Sequence, residues 1–215
     1  MVRIVCLLIG YIFGLFQTAY FYGKLKGIDI RKHGSGNAGT TNTLRVLGFK
    51  AGLIVLAGDL LKCAIAIVLV RLLFGQSHAD MIYLLLLYTA AGVIIGHDFP
   101  FYMHFKGGKG IAATAGLIAA FHPYFIPVGL IVFFSIFFTT HYVSLGSLMI
   151  YAGFMTQLVI MGQLGCFNME PALLYEMYGV GAFLMFMAYF QHRANIVRLL
   201  KGEERKTYLF KKNEQ

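Results

Sequence analysis

The sequence predicts an all-α integral membrane protein with seven transmembrane helices, its N-terminus extracytoplasmic and its C-terminus cytoplasmic. Three observations carry this. First, the 215 residues are 59% hydrophobic and only 13% charged, with a mean hydropathy of +0.73. That charge content is about half the globular norm of ~25%. Second, several apolar runs approach or exceed the ~20 residues that span a bilayer. Third, the formal charge of +9 is clustered. Lys24, Lys26, Arg31, Lys32, Arg45 and Lys50 crowd one loop, and Arg193, Arg198, Lys201, Arg205, Lys206, Lys211 and Lys212 crowd the tail. Such clustering sets membrane orientation and attracts anionic ligands. It excludes nucleic acid as a partner, because the aromatics sit in the apolar runs instead of alternating with the basic residues.

Residues 4–22 are expected to form the first span. A basic residue followed by an apolar run resembles a signal peptide, but no small-x-small cleavage site follows, so the segment reads as retained. Residues 23–50 form a polar loop and 51–74 the second span, with Asp59 and Lys62 inside it. At i,i+3 these two share a helix face and read as a salt bridge turned toward the bundle. A short loop, 75–80, precedes the third span, 81–97, and a second polar loop covers 98–110. Gly10/Gly14 and Gly92/Gly96 have the small-xxx-small spacing of close helix packing.

Residues 111–138 decide the topology. As one helix they run roughly 42 Å, possible only with strong tilt. Broken at His122-Pro123, they make a hairpin of 111–121 and 124–138. The hairpin brings 24–50, 98–110, 139–142 and 192–215 to one face, which the positive-inside bias favours, and proline disfavours an unbroken helix there. Residues 143–164 and 173–190 are the remaining spans, joined by an uncharged-to-acidic loop, 165–172. The whole chain, 1–215, reads as one polytopic domain in which 192–215 is a basic cytoplasmic tail. Cys6, Cys63 and Cys166 make neither a disulfide framework nor metal-ligand spacing, and no metal is expected.

Three polar runs stand out from this background. Gly34-Ser35-Gly36-Asn37-Ala38-Gly39-Thr40-Thr41-Asn42, with Arg45, lies in a stretch without any acid between Asp29 and Asp59. Glycines let backbone N–H groups converge on an anion, and the hydroxyls, amides and guanidinium add donors. Lys106-Gly107-Gly108-Lys109-Gly110 is not a Walker A motif, which needs four residues between its glycines and Ser or Thr after Lys. It shares the narrower physics of amides and lysine at a helix start, or else is a plain positive-inside flank. His192, Asn195 and Arg198 form one polar stripe at helical spacing. Ser144 and Ser147 also share a face, as helix capping and packing or as phosphate contacts.

Together, and in this order, these runs resemble the bacterial acyl-phosphate:glycerol-3-phosphate acyltransferase family (PlsY type). The matching pieces are Gly34 to Asn42 with Arg45, Asp59 with Lys62, Gly96-His97-Asp98-Phe99-Pro100, and Phe105 to Gly110. They continue with Tyr142 to Ser147, His192, Asn195-Ile196, Arg198-Leu199 and Gly202-Glu203-Glu204. The chain departs from the family pattern at His141, where Arg is common, and in a longer, more basic tail. The resemblance implies transfer of a fatty acyl group from acyl phosphate to the 1-hydroxyl of glycerol 3-phosphate, giving lysophosphatidic acid and phosphate. It implies no cofactor, a bacterial inner-membrane enzyme with its site on the cytoplasmic face, and coupling to a soluble enzyme that makes acyl phosphate. Catalytic roles fall on His192, Asn195, Lys109 and Arg45. Phosphate contacts fall on Ser35, Gly36, Asn37, Gly39, Thr41, Asn42, Lys106, Gly107, Gly108, Gly110, Ser144, Ser147, Arg198 and Glu204. Which loop holds which phosphate, and whether His192 is a base or only a hydrogen-bonding group, stay open. A transporter for phosphate or a phosphate ester is the alternative, since a broken hairpin and cationic glycine-rich loops suit one too.

Overall fold

The computed structural model describes residues 1–208 and is helical throughout, with no strand among those residues. Leu209–Gln215, which include the basic Lys211 and Lys212 of the tail, lie outside the described residues. The helices are α1 (Val2–Gly14), α2 (Thr18–Leu25), α3 (Thr40–Leu47), α4 (Phe49–Phe74) and α5 (Ile82–Asp98). They continue with α6 (Ile111–Phe121), α7 (Phe125–Thr140), α8 (Val143–Gln163), α9 (Pro171–Gln191) and α10 (Arg193–Leu200). Five segments among the described residues are long and apolar enough to cross a membrane: Val2–Leu25, Phe49–Phe74, Ala79–Met103, Val143–Gln163 and Pro171–Gln191. The apolar α6 and α7 are shorter, at 11 and 16 residues.

α5 is the central helix. Leu84, Leu85, Leu86 and Leu87 are all fully buried, so every side of the helix is covered by protein. A helix apolar all round belongs in such a position. Its closest neighbour is α1, and the glycine pairs explain how close. A Cβ on Gly92 would stand 2.1 Å from the Leu7 carbonyl oxygen, and one on Gly10 2.0 Å from that of Thr89. The small-xxx-small reading of both pairs therefore holds. Gly92→Leu should force the two backbones apart, a cost of at least about 3 kcal/mol by overpacking. The expected result is a melting temperature in detergent lower by about 10 °C. Gly179→Leu, at a helix position with nothing within 4 Å of an added Cβ, is the control that should leave it unchanged.

The stretch 111–138 breaks where its proline stands. α6 stops at Phe121, His122 is extended (φ −156°, ψ 138°), and α7 starts at Phe125. Arg71, near the end of α4, caps the break by donating to the carbonyls of Phe121 at 2.7 Å and Ala120 at 3.2 Å. These are helix-end acceptors with no intrahelical donor.

Two expectations are corrected. The first span is not one helix over 4–22: it breaks after Gly14 and resumes at Thr18. Buried Gln17 fills the break, its amide donating to the carbonyls of Gly14 at 3.1 Å, Gly96 at 3.3 Å and His97 at 3.0 Å. The polar segment 23–50 is not all loop either, because its second half winds into α3, separated from α4 by Gly48 alone at φ +86°.

Candidate active site

The first glycine-rich run is held from inside by Asn42. Its buried amide oxygen accepts from the Ser35 N–H at 2.8 Å, and its nitrogen donates to the carbonyls of His33 at 3.0 Å and Ile30 at 3.2 Å. Both of its N–H donors thus go to shaping the loop. Ser35 and Gly36 are exposed, while Asn37, Gly39 and Thr41 are partly covered. Before the run, Arg31 grips the Asp29 carboxylate at 2.8 Å and 3.0 Å and holds its pKa down at about 2. The run's only acidic neighbour in sequence is thus already neutralised.

The second run turns back beneath the end of α5. The Gly107 N–H donates to the Asp98 carbonyl and the Gly108 N–H to the His97 carbonyl, both at 3.1 Å. A Cβ on either residue would collide with His97, at 2.0 Å from its carbonyl oxygen or from its Nε2. In this structure both N–H groups are turned toward α5. Glycine is required at both positions because the loop lies flat against α5. Gly110, at φ +72°, opens α6. Lys106 is exposed. Lys109 is not: its ammonium donates to the side-chain oxygen of Asn195. Burial, then the nearby Arg198, push its pKa down to about 8.

The third run caps α9 and forms α10. His192 is buried, and its Nδ1 lies 2.8 Å from the Ala188 carbonyl. A carbonyl only accepts, so Nδ1 carries the hydrogen and Nε2 keeps a lone pair. Burial, then Lys109, hold its pKa at about 4, so the ring is neutral at pH 7. One turn on, the Asn195 amide donates to Glu204 at 2.7 Å. Arg198 Nε donates to the other Glu204 oxygen, also at 2.7 Å, and the Ser144 hydroxyl to the first at 3.0 Å. Glu204 was expected among the phosphate contacts. A carboxylate cannot donate to phosphate, and here it instead organises three donors. Ser147 returns its hydroxyl to the Val143 carbonyl at 2.7 Å, within its own helix.

The tail closes the circuit. Thr207 donates its N–H to the His141 carbonyl at 2.9 Å, and its hydroxyl accepts from Arg45 at 2.7 Å. The guanidinium of Arg45 also reaches the Arg205 carbonyl at 3.4 Å. Residues 203–207 thus strap α10 to α3. Nothing in the sequence marked Thr207; the only signal was the neighbouring Gly202-Glu203-Glu204. Hydrogen bonds make two clusters, Arg45–Thr207–His141 and Lys109–Asn195–Glu204 with Ser144 and Arg198, joined along the strap from Glu204 to Thr207, with His192 beside them. Ser35, Gly36, Asn37, Gly39, Thr41 and Lys106 lie outside this chain of contacts. Three cations face one acid, an arrangement that stabilises phosphate oxyanions. Among the described residues no three His, Cys, Asp or Glu side chains converge as a metal site.

Comparison with known proteins agrees with this chemistry. A family model described as glycerol-3-phosphate acyltransferase matches residues 4–202. The glycerol-3-phosphate acyltransferase of Thermoanaerobacter sp. (strain X514) is 36% identical over 96% of both chains. That of Bacillus velezensis is 37% identical over 95% of this chain and 97% of its own. Among solved structures, the glycerol 3-phosphate form of PlsY (YgiH), an integral membrane glycerol 3-phosphate acyltransferase, superposes with a TM-score of 0.80. It is 31% identical and covers 97% of this chain and 99% of its own. The lysophosphatidic acid form of PlsY superposes with a TM-score of 0.75 at 30% identity, over 96% of both chains.

Proposed function

The chain belongs to the glycerol-3-phosphate acyltransferase family, and we propose that it moves a fatty acyl group from acyl phosphate to the 1-hydroxyl of glycerol 3-phosphate. The products are lysophosphatidic acid and inorganic phosphate. The observation that carries this reading is the gathering of Ser144, Asn195 and Arg198 on Glu204, with Lys109 held through Asn195 and Arg45 bound to Thr207 on the same strap. Acyl phosphate is already activated, so the task is to hold two phosphate-bearing anions together. Lys109 and the two guanidiniums offset their repulsion and stabilise the departing phosphate.

His192, neutral and with its Nε2 lone pair free of the Ala188 contact, receives the hydrogen bond of the glycerol hydroxyl, and Asn195 helps to position it. A group of pKa about 4 is a poor proton acceptor at pH 7. The departing phosphate, more basic, takes the proton as the carbon–oxygen bond forms. Ser35, Gly36, Asn37, Gly39 and Thr41 supply the rim for the second phosphate, with Lys106 at its exposed edge. Glu204 and Asn42 act as organisers of the donors around them.

Seven crossings suit this arrangement. α6 leaves the site face at Gly110 and α7 returns to it at His141, and the basic loops gather there, which by the positive-inside rule favours a cytoplasmic site face and an N-terminus outside. The protein then works in the bacterial inner membrane, with acyl chains among lipids and headgroups in the cytoplasmic pocket, fed by a soluble enzyme that makes acyl phosphate.

The test uses purified protein, palmitoyl phosphate and labelled glycerol 3-phosphate in detergent, with EDTA and without CoA. Labelled lysophosphatidic acid is expected. Its absence, with labelled phosphate or glycerol phosphate taken up into proteoliposomes, would overturn the reading in favour of a transporter.

The same assay carries a pH prediction. Lys109 titrates near pH 8 in the free enzyme, and its charged form is lost above that value. So kcat/KM should be level up to about pH 8 and fall about tenfold per unit beyond it. Bound phosphate favours the ammonium, so the limb in kcat should lie higher. Lys109→Arg, which does not titrate in this range, should abolish the limb.

A further inference from the structure

We propose that Asp59, Lys62 and His97, three polar side chains inside the helical bundle, are positioning residues that seat the loop carrying Lys109. This rests on the acyltransferase reading above and adds residues that touch neither substrate. Their side chains are 1%, 5% and 3% exposed. Buried charges are costly unless paired, and ionisable groups within a membrane usually serve function.

The contacts run in one direction. Asp59 Oδ1 accepts from Thr18 at 2.9 Å and lies 3.0 Å from the Lys62 ammonium. Lys62 donates to the Phe16 carbonyl at 2.7 Å and reaches that of Gly14 at 3.4 Å, acceptors freed by the break in the first span. It also lies 2.8 Å from His97 Nδ1. An ammonium only donates, so Nδ1 must accept and the ring hydrogen sits on Nε2. Lys62 thereby sets both the tautomer and the tilt of the imidazole.

The far edge of that ring is the seat of the loop. Nε2 faces Gly108 so closely that a Cβ there would come within 2.0 Å, and the His97 carbonyl accepts the Gly108 N–H at 3.1 Å. Gln17 holds the same carbonyl from the other side at 3.0 Å. The next residue is Lys109. A tilt of the ring thus moves the backbone from which the phosphate-binding ammonium projects, and displacement of a reacting group by about 1 Å costs on the order of 100-fold.

Two variants test this. Asp59→Leu/Lys62→Met removes both charges together and leaves no unpaired ion. Gly108→Ala leaves the buried charges intact but pushes loop and ring apart. Each should lower kcat by about 10-fold to 100-fold, with KM for glycerol 3-phosphate within about threefold, when assayed well below the melting temperature of the variant. Because both act through the same seat, the combined variant should be no more than about twofold worse than the poorer of the two. Wild-type kcat in either variant, or losses that multiply in the combination, would overturn the proposal. So would a kcat loss that disappears when the variant is assayed well below its melting temperature. An inactive wild-type protein would instead sink the acyltransferase reading itself.

Discussion

Lys109→Met should lower kcat/KM for acyl transfer by about 1,000-fold, the loss expected when one preorganised donor to a developing anion is removed. Lys109 is the cation most completely committed to the site. Its ammonium is held by Asn195, its surroundings are dry enough to bring its pKa to about 8, and Arg198 stands near enough to contribute to that fall. A charge in such a place acts with little screening and needs no reorganisation when phosphate departs. Most of the loss should appear in kcat, because the leaving group gains charge in the transition state, while KM for glycerol 3-phosphate rises by less. Lys106→Met supplies the contrast. That side chain is exposed, three residues away, and a screened surface charge is worth less than about 1 kcal/mol. Steady-state assay of both variants with palmitoyl phosphate checks the pair, and equal losses would show that the loop acts as a diffuse positive patch.

The helical membrane architecture was legible because its signals are local. Apolar runs of bilayer length and a His-Pro break can be read from neighbouring residues alone, and the hairpin at His122 follows from them. The break after Gly14 was not legible. Leu15 and Phe16 continue the apolar run, and the residues that satisfy the broken turn, Gln17 through Gly96 and Lys62 through Phe16, act across 79 and 46 positions. The site divides the same way. Lys109, Asn195, Arg198 and Arg45 were recognisable by chemical type, but their meeting around Glu204 depends on how five helix ends and a tail are placed. Gly107 and Gly108 show a deeper ambiguity. A phosphate cradle and a tight backbone crossing both demand the absence of a Cβ, so their sequence signature is identical. Only the direction of the two N–H groups, toward α5, separates them. Glu204 was chosen by resemblance, and its bonds to Ser144, Asn195 and Arg198 were not legible, because a sequence does not say whether an acid among cations meets the ligand or holds its donors.

That distinction makes Glu204→Gln the second decisive variant. Glu204 is 6% exposed and accepts from Ser144, Asn195 and Arg198. The amide keeps one acceptor oxygen and turns two N–H donors toward groups that are themselves donors. Arg198 loses its counter-ion, but at 39% exposure water offsets much of that loss, leaving about 1–2 kcal/mol. A fall of about 5 °C in melting temperature should follow. The catalytic loss should be far larger, about 100-fold in kcat, because Asn195 is also the partner of Lys109, and freeing it releases the ammonium. The strap should loosen as well, so trypsin should cut at Arg205 and Lys206 faster than in the parent, whereas Glu203→Gln, on an exposed side chain, should leave rate and proteolysis unchanged. If Glu204→Gln kept full activity, the acid would be a bystander and the cations would need no organiser. The physical reason to expect otherwise is that Arg45, Lys109 and Arg198 repel one another before substrate arrives. The Glu204 carboxylate lowers that repulsion and fixes Arg198 directly and Lys109 through Asn195, while leaving enough positive charge unbalanced to draw in phosphate.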